Sequence, residues 1–171
     1  MVDRWYPEKI IAGDMDGGYD ESTVRFVRDT FGPAANITIA EFGIWKGATT
    51  FRLAELMQGN GTIHIFDYED NVSSVKAQLA ERGYHNVVAH GSSYKYLDSY
   101  NGKLRILHQN RRPVFDSAYL DGAHTCAVDA LNFLLVDLLL KPDGYVKFDE
   151  WRMRGSSLDP ATAHHGPAVH R

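Results

Sequence analysis

Carboxylate side chains follow two apolar, β-rich runs in the second half of the chain. Asp121 comes directly after the run 118–120, and Asp149 comes directly after the run 146–148. If the two runs are neighbouring strands of one sheet, the carboxylates lie close enough to repel each other, and one keeps its proton. A hard divalent cation with oxygen ligands removes this conflict, with Mg²⁺ the first candidate and calcium or manganese behind it. The alternative is that these acids only end strands or cap the next helices.

Two glycines four positions apart, Gly43 and Gly47, separate another β-rich run from the start of a helical pattern. Glycine permits a positive φ and a close approach of a ligand to the backbone, and the first turn of the following helix offers unpaired N–H groups. The spacing differs from the Gly-x-Gly-x-x-Gly of dinucleotide-binding turns. It therefore disfavours a nicotinamide-dependent reductase, which stays open as an alternative beside a plain tight turn.

Asp67 follows the next β-rich run, 24 residues after Gly43. This offset is close to the roughly 20 residues at which an acidic side chain meets the hydroxyls of a bound ribose. A carboxylate can accept hydrogen bonds from both vicinal hydroxyls at once. The alternative role is a cap on the next helix, for which Asp70 or Asn71 is better placed.

These residues lie between elements of alternating periodicity. Strands followed by amphipathic helices predict βαβ units and a parallel sheet covered on both faces, so the fold class is α/β with a doubly wound, mostly parallel, Rossmann-like sheet. Ligands of such sheets bind beyond the carboxyl ends of the strands. The predicted helices are 20–31, 47–58, 72–82, 94–109 (with a break at Asn101-Gly102) and 124–140 (ending at 142–144), and the predicted strands are 37–42, 62–66, 86–90, 114–120 and 145–148.

The segment 41–50, Glu-Phe-Gly-Ile-Trp-Lys-Gly-Ala-Thr-Thr, resembles the first motif of class I S-adenosylmethionine-dependent methyltransferases, and most of all that of the macrocin and related sugar O-methyltransferases. Residues 119–124 and 142–151 extend the resemblance, which covers about 20–152. It implies an O-methyltransferase that uses S-adenosyl-L-methionine, assisted by Mg²⁺, to methylate a small, sugar-like hydroxylated acceptor.

The resemblance also implies roles for single residues in binding the cofactor. Glu41 would hold the methionine amino group, and Gly43 and Gly47 would shape the turn under the cofactor carboxylate and sulfonium. Asp67 would bind the ribose hydroxyls. Ser92 lies where the superfamily often has an acid in contact with the adenine amino group, so a hydroxyl there departs from the pattern.

For the metal, the resemblance implies Asp121, Asp149 and Glu150 as ligands, with Glu150 replacing the aspartate that is usual at the third position. Asp121 would then also act in catalysis, because a metal held there orients the acceptor hydroxyl and lowers its pKa. His124 would be the general base, since a histidine can take a hydroxyl proton near neutral pH. The alternative is that His124 is a structural residue at a helix start.

Composition narrows the classes of function. The 171 residues suffice for one domain, and the net charge of −4 argues against a nucleic-acid or anionic-membrane partner. The lone cysteine, Cys126, excludes an internal disulfide and fits a cytoplasmic protein, and no signal peptide is visible. We also expect no membrane-spanning segment, because the longest apolar run is too short.

The domain division is predicted as an N-terminal lid or flexible arm (1–19), a methyltransferase-like domain (20–152) and a flexible tail (153–171). Class I methyltransferases usually end in an antiparallel β-hairpin, but residues 158–171 show no strand alternation that predicts one. The fifth strand is therefore expected to be a bare sheet edge, through which a homo-oligomer could form. The missing hairpin also leaves open a non-catalytic, methyltransferase-like binding module.

Overall fold

A computed structural model of the protein describes residues 20–93, 99–110, 113–123, 125–149 and 169–170. Helices and strands alternate along these stretches, as the periodicity predicts. The helices are α1 (Glu21–Phe31), α2 (Ala48–Met57), α3 (Glu69–Glu81), α4 (Tyr100–Asn110) and α5 (Cys126–Asp137), and the strands are β1 (Thr38–Phe42), β2 (Thr62–Tyr68), β3 (Val87–Ser92), β4 (Phe115–Leu120), β5 (Leu140–Phe148) and β6 (Val169–His170).

One sheet holds the described strands in the order β3-β2-β1-β4-β5-β6. Strands β1 to β5 are parallel, and β6 runs antiparallel to β5. Phe42 of β1 pairs with Leu120 of β4, which in turn pairs with Phe148 of β5, so these strands end level with one another. We call this edge the carboxyl rim. The chain reverses its direction of winding between β1 and β4, and ligands of doubly wound sheets bind at that point.

Helices cover the sheet on both faces, because successive residues of each strand point to opposite sides. On one face, Ile39 and Ile65 pack among residues of α1, α2 and α3. On the other, Phe42 and Ala118 pack among residues of α4 and α5. The predicted α/β, doubly wound architecture is thereby confirmed.

Two details of the predicted elements are wrong. Helix α4 continues through Asn101 and Gly102, where the Asn101 amide donates to the Val128 carbonyl of α5 at 3.1 Å. The helix expected to reach residue 140 ends at Asp137, and Leu140 already begins β5. A register shift of the β4–β5 ladder lies beside 142–144, so this turn sequence interrupts a strand rather than ending a helix.

Strand β6 was not predicted. Its two residues pair with Tyr145 and Val146, so the expectation of a bare β5 edge is wrong over this short stretch. Homo-oligomerisation through this edge stays a prediction. The predicted arm 1–19 lies outside the described residues, as do 153–168 and 171 of the predicted tail.

Candidate functional site

The glycine turn between β1 and α2 has the conformation that its sequence predicts. Gly43 and Gly47 adopt φ angles of 78° and 79°, in the region that favours glycine. A Cβ on Gly43 would collide with the carbonyl oxygen of Asp121. A Cβ on Gly47 would lie 2.7 Å from the methyl groups of Val75 in α3. The two glycines therefore bring the end of β1 against the end of β4 and let the start of α2 approach Val75 of α3.

Asp67, at the carboxyl end of β2, anchors this turn. One carboxylate oxygen accepts hydrogen bonds from the backbone N–H groups of Ile44 and Trp45, both at 2.8 Å. The other accepts from Tyr68 N at 2.6 Å and Asn71 Nδ2 at 2.9 Å. These four bonds use about all the acceptor sites of a carboxylate. The sequence did not indicate this anchoring role, and the ribose-binding role of Asp67 stays a prediction.

Glu41 is buried in the face of the sheet that α1 and α2 cover. Its side chain is 2% exposed and accepts a hydrogen bond from the Thr50 hydroxyl at 2.7 Å. Burial raises the pKa of Glu41 to about 8, and the charges of Asp67 and Asp20 act in the same direction. The carboxyl group is therefore mostly protonated at neutral pH, and a cationic group beside it would favour its ionised form.

Asp121 and Asp149 meet at the carboxyl rim, as their positions after neighbouring strands predict. Backbone bonds hold each in place: Asp121 N donates to Phe42 O, and Asp149 N donates to Leu120 O, both at 2.9 Å. Burial, the charge of Asp149 and a hydrogen bond between the two carboxyl groups together raise the pKa of Asp121 to about 8. Asp121 is therefore mostly protonated near neutral pH.

This donor set fits a hard divalent cation, because such ions prefer carboxylate oxygens and a cation beside Asp121 would favour the ionised form of that side chain. The other predicted ligand, Glu150, and the predicted base, His124, lie outside the described residues. Within the described ranges, no group of three histidine, cysteine or acidic side chains is arranged to hold a metal ion. Of the predicted metal ligands, the described residues therefore include Asp121 and Asp149.

A second layer of polar residues lies behind this pair, and of its members only Glu41 was predicted as a site residue. Glu41, Tyr119 and Lys147 are register partners across β1, β4 and β5. The Tyr119 hydroxyl donates to Asp121 Oδ2 at 3.3 Å, and the Lys147 ammonium lies 5.0 Å from the centre of the Tyr119 ring. Nothing in the local sequence indicates this layer, because it depends on the order of the strands.

Asp20 connects the N-terminus of α1 to the same layer. Lys147 Nζ donates to Asp20 Oδ2 at 2.7 Å, and Asp20 N donates to the Thr49 hydroxyl at 2.9 Å. Burial by itself would raise the pKa of Asp20, but hydrogen bonds from Lys147, Thr23 and Ser22 outweigh it and hold that pKa well below its usual range. The N-termini of α1 and α2 are thereby fixed beside the carboxyl rim.

Ser92, at the end of β3, carries a buried hydroxyl for which the described part of the chain provides no hydrogen-bond partner. A buried, unsatisfied hydroxyl costs free energy unless a ligand or water satisfies it. Ser92 is the register partner of Tyr68, next to Asp67. The position fits a polar contact to a ligand that extends along the rim from the glycine turn.

Comparison with known proteins gives the family. A family model described as "Methyltransferase domain" matches residues 40–151, well over half of the chain. The search of curated proteins finds no match. Among the described residues, no helix is long and apolar enough to cross a membrane.

Solved structures of O-methyltransferases share the fold at low sequence identity. The Bacillus cereus O-methyltransferase in complex with SAH is 14% identical, with a TM-score of 0.61 over 79% of this chain and 59% of that one. TomG from Streptomyces achromogenes, in complex with SAM, is 21% identical, with a TM-score of 0.55 over 75% and 53%. MycE of the mycinamycin pathway, in complex with Mg and SAH, is 17% identical, with a TM-score of 0.56 over 75% and 31%. The chain thus spans between 31% and 59% of the length of these proteins.

Proposed function

The chain belongs to the methyltransferase domain family, and from this premise we propose that it transfers a methyl group from S-adenosyl-L-methionine to a hydroxyl of a small, sugar-like acceptor. The family match favours this reaction over the nicotinamide-dependent reductase. The observation that carries the proposal is the acidic carboxyl rim, where Glu41 and Asp121 both have pKa values near 8. A rim of this kind gains most from a cationic ligand, and S-adenosylmethionine carries both a sulfonium and an ammonium group.

The cofactor-binding residues extend along the rim in an order that fits the molecule. Glu41 would accept a hydrogen bond from the methionine ammonium group and give up its proton when that group binds. Asp67 holds the glycine turn through its own hydrogen bonds, so it would bind the ribose hydroxyls in exchange for a donor such as the Asn71 amide. Ser92, three strands away from β4, would give its unsatisfied hydroxyl to the adenine ring.

In the reaction, the sulfonium group of the cofactor supplies the methyl group to the acceptor oxygen by in-line displacement. The contribution of the protein is to position the two reactants, which can lower such barriers by several kcal/mol. Gly43 makes this arrangement possible, since the absence of a Cβ lets the glycine turn lie against Asp121.

Asp121 and Asp149 would hold a divalent cation, with Mg²⁺ the first candidate and Glu150 the proposed third ligand. Such an ion lowers the pKa of an acceptor hydroxyl and orients it. His124 is the proposed base for the hydroxyl proton. The Mg in the MycE complex supports this assignment, and the resemblance to the macrocin group supports a sugar-like acceptor.

A titration with S-adenosylhomocysteine tests the cofactor part of the proposal. We expect calorimetry to show saturable binding to the wild-type chain and at least about tenfold weaker binding to Glu41→Gln. The control is Glu55→Gln, which removes an exposed carboxylate of α2 that pairs with Arg52. Absence of binding at millimolar S-adenosylhomocysteine would contradict the proposal.

The second candidate function is a methyltransferase-like binding module without turnover. Binding of S-adenosylhomocysteine without methyl transfer to any hydroxylated acceptor would support this candidate. A cytoplasmic location also belongs to the proposal and rests on the single cysteine, Cys126.

A further inference from the structure

The loop that follows Asp121 is held by the hydroxyl of a tyrosine from another helix. Tyr100, the first residue of α4, is 8% exposed. Its hydroxyl accepts a hydrogen bond from Ala123 N at 3.0 Å and donates one to Asp129 Oδ1 in the first turn of α5 at 3.1 Å. A single hydroxyl therefore connects the loop after β4 to the helix that follows it.

Gly122 lies directly against this hydroxyl. A Cβ at Gly122 would collide with the Tyr100 oxygen and would lie 2.9 Å from the ring carbon that carries it. Both residues after Asp121 thus lie against Tyr100. Gly122 can do so because it has no side chain, and Ala123 does so through its N–H group. The path of the main chain after Asp121 is thereby closely defined.

The Tyr100 ring also contacts β1, the strand whose last residue binds the Asp121 backbone. It packs edge-on against the Phe42 ring, with centroids 5.7 Å apart. Phe42 supplies the carbonyl oxygen that accepts the Asp121 N–H group. Tyr100 accordingly contacts both the residue that binds the Asp121 backbone and the loop that continues from it.

We propose that Tyr100 is a positioning residue, whose hydroxyl fixes the loop after β4 and so holds Asp121 in the place where it can bind a divalent cation. This inference rests on the proposed function, because it assigns the cation to Asp121. It adds a residue from α4, a helix to which the sequence analysis assigned no functional residue. Residues that orient metal ligands typically contribute about 10-fold to 100-fold to metal affinity.

The test compares Tyr100→Phe with the wild-type chain, using MnCl₂ as the probe. The variant keeps the ring and its packing on Phe42 but loses the hydroxyl. The matched control is Tyr84→Phe, which removes a hydroxyl from a tyrosine packed against the core on the opposite face of the sheet. A second pair separates the hydrogen bond from general damage: Asp129→Asn keeps a side-chain oxygen that can accept from Tyr100, and Asp129→Ala removes it.

Three quantities are measured for each protein without any turnover: the Mn²⁺ dissociation constant, the S-adenosylhomocysteine dissociation constant and the rate of hydrogen exchange at the Ala123 amide. In Tyr100→Phe we expect Mn²⁺ to bind about tenfold more weakly. The Ala123 amide should exchange faster, and S-adenosylhomocysteine affinity should stay within about twofold, because Glu41 and Asp67 lie on other strands. Asp129→Ala should behave like Tyr100→Phe, whereas Asp129→Asn and Tyr84→Phe should behave like the wild type.

Equal Mn²⁺ affinity in Tyr100→Phe and the wild type would overturn the proposal, even if the variant unfolds at a lower temperature, because the hydroxyl would then be only structural. If the wild type binds S-adenosylhomocysteine but not Mn²⁺, the role of Tyr100 is refuted while the cofactor part of the proposed function stands. If it binds neither, the proposed function itself fails.

Discussion

An aspartate lies at each end of strand β4, and the two differ in the groups that surround their carboxylates. At the amino end, the Asp116 carboxylate accepts hydrogen bonds from the Lys141 ammonium and the Thr38 N–H group, both at 2.8 Å. At the carboxyl end, Asp121 is hydrogen-bonded to a second carboxyl group, that of Asp149, and its pKa is raised to about 8. Asp116 thus links β1, β4 and β5, whereas Asp121 lies beside other acidic side chains.

The difference teaches how to tell a structural acid from a functional one. An acid that only stabilises the fold is expected to meet a cation or backbone donors, as Asp116 does. Two partly buried acids that lie against each other, as Asp121 and Asp149 do, destabilise the folded chain. Such an arrangement is typical of sites selected for binding or catalysis. Substitutions at the carboxyl rim should therefore weaken binding more than stability, with the reverse at the amino end.

The largest effect is expected at this pair of aspartates. Asp121→Asn should weaken Mn²⁺ binding by at least about 100-fold, because it removes a charged ligand. This effect should exceed the one that is usual for residues that only orient ligands. Asp116→Asn, the matched control on the same strand, should leave Mn²⁺ affinity unchanged and lower the free energy of unfolding by up to about 1 kcal/mol. Equal Mn²⁺ affinity in the two variants would remove the distinction between the two ends.

Next in size is the effect of a side chain at the glycine turn. Gly43→Ala should lower the free energy of unfolding by about 2–3 kcal/mol, because its φ of 78° is strained for alanine and its Cβ meets the Asp121 carbonyl. Gly32→Ala, at the end of α1, has a φ of 83° but no atom within 4 Å, so it should cost only about 1 kcal/mol. Urea unfolding measures both. Similar losses of unfolding free energy in Gly43→Ala and Gly32→Ala would mean that Gly43 does not lie as close to the Asp121 carbonyl as the structure shows.

A pH-dependent effect is expected at Glu41. Its pKa in the folded chain is about 8, against an ordinary value of 4.5. Between these values the folded state keeps a proton that the unfolded state has lost, so the contribution of Glu41 to stability falls as pH rises from 4.5 to 8. Glu41→Gln should remove this fall and be about 1–3 kcal/mol more stable than the wild type at pH 8.

Urea titrations at pH 5 and pH 8 measure the effect, with Glu55→Gln as the control that keeps the wild-type slope. The same residue links binding to pH. S-adenosylhomocysteine binding at pH 7 should release a proton, seen as a dependence of the calorimetric heat on the ionisation enthalpy of the buffer. Identical heats in phosphate and Tris, after correction for dilution, would argue against ionisation of Glu41 on binding.

The smallest effect is expected at Ser92. Ser92→Ala should weaken S-adenosylhomocysteine binding by about threefold, the size of a single hydrogen bond of modest strength. Because it deletes a buried hydroxyl without a partner in the described chain, it should not lower the free energy of unfolding. Ser74→Ala on α3 is the exposed control. A loss of stability without a change in affinity would assign Ser92 to the core instead of the site.

Much of this arrangement could be predicted from local patterns. Alternating periodicity predicted βαβ units, and acids that follow apolar runs predicted that Asp121 and Asp149 meet at one rim. The positive φ angles of Gly43 and Gly47 followed from their place between a strand and a helix. These features depend only on short stretches of sequence and on a parallel sheet.

Features that depend on strand order could not be predicted in this way. Lys147 reaches Asp20 across 127 positions of sequence. Tyr119 lies between Glu41 and Lys147 only because β4 separates β1 from β5. The break expected at Gly102 is absent because packing of α4 on α5 outweighs the weak helix propensity of glycine. The anchoring of the glycine turn by Asp67 likewise depends on β1 and β2 being neighbours.

The most direct test of the central claim is a crystal structure of the chain with S-adenosylhomocysteine and MnCl₂, using the anomalous signal of manganese to place the ion. The account predicts Mn²⁺ coordinated by Asp121 and Asp149, with the amino group of the ligand beside Glu41 and its ribose beside Asp67. Manganese at the opposite end of the sheet, near Asp116, or a ligand bound away from the carboxyl rim, would contradict it.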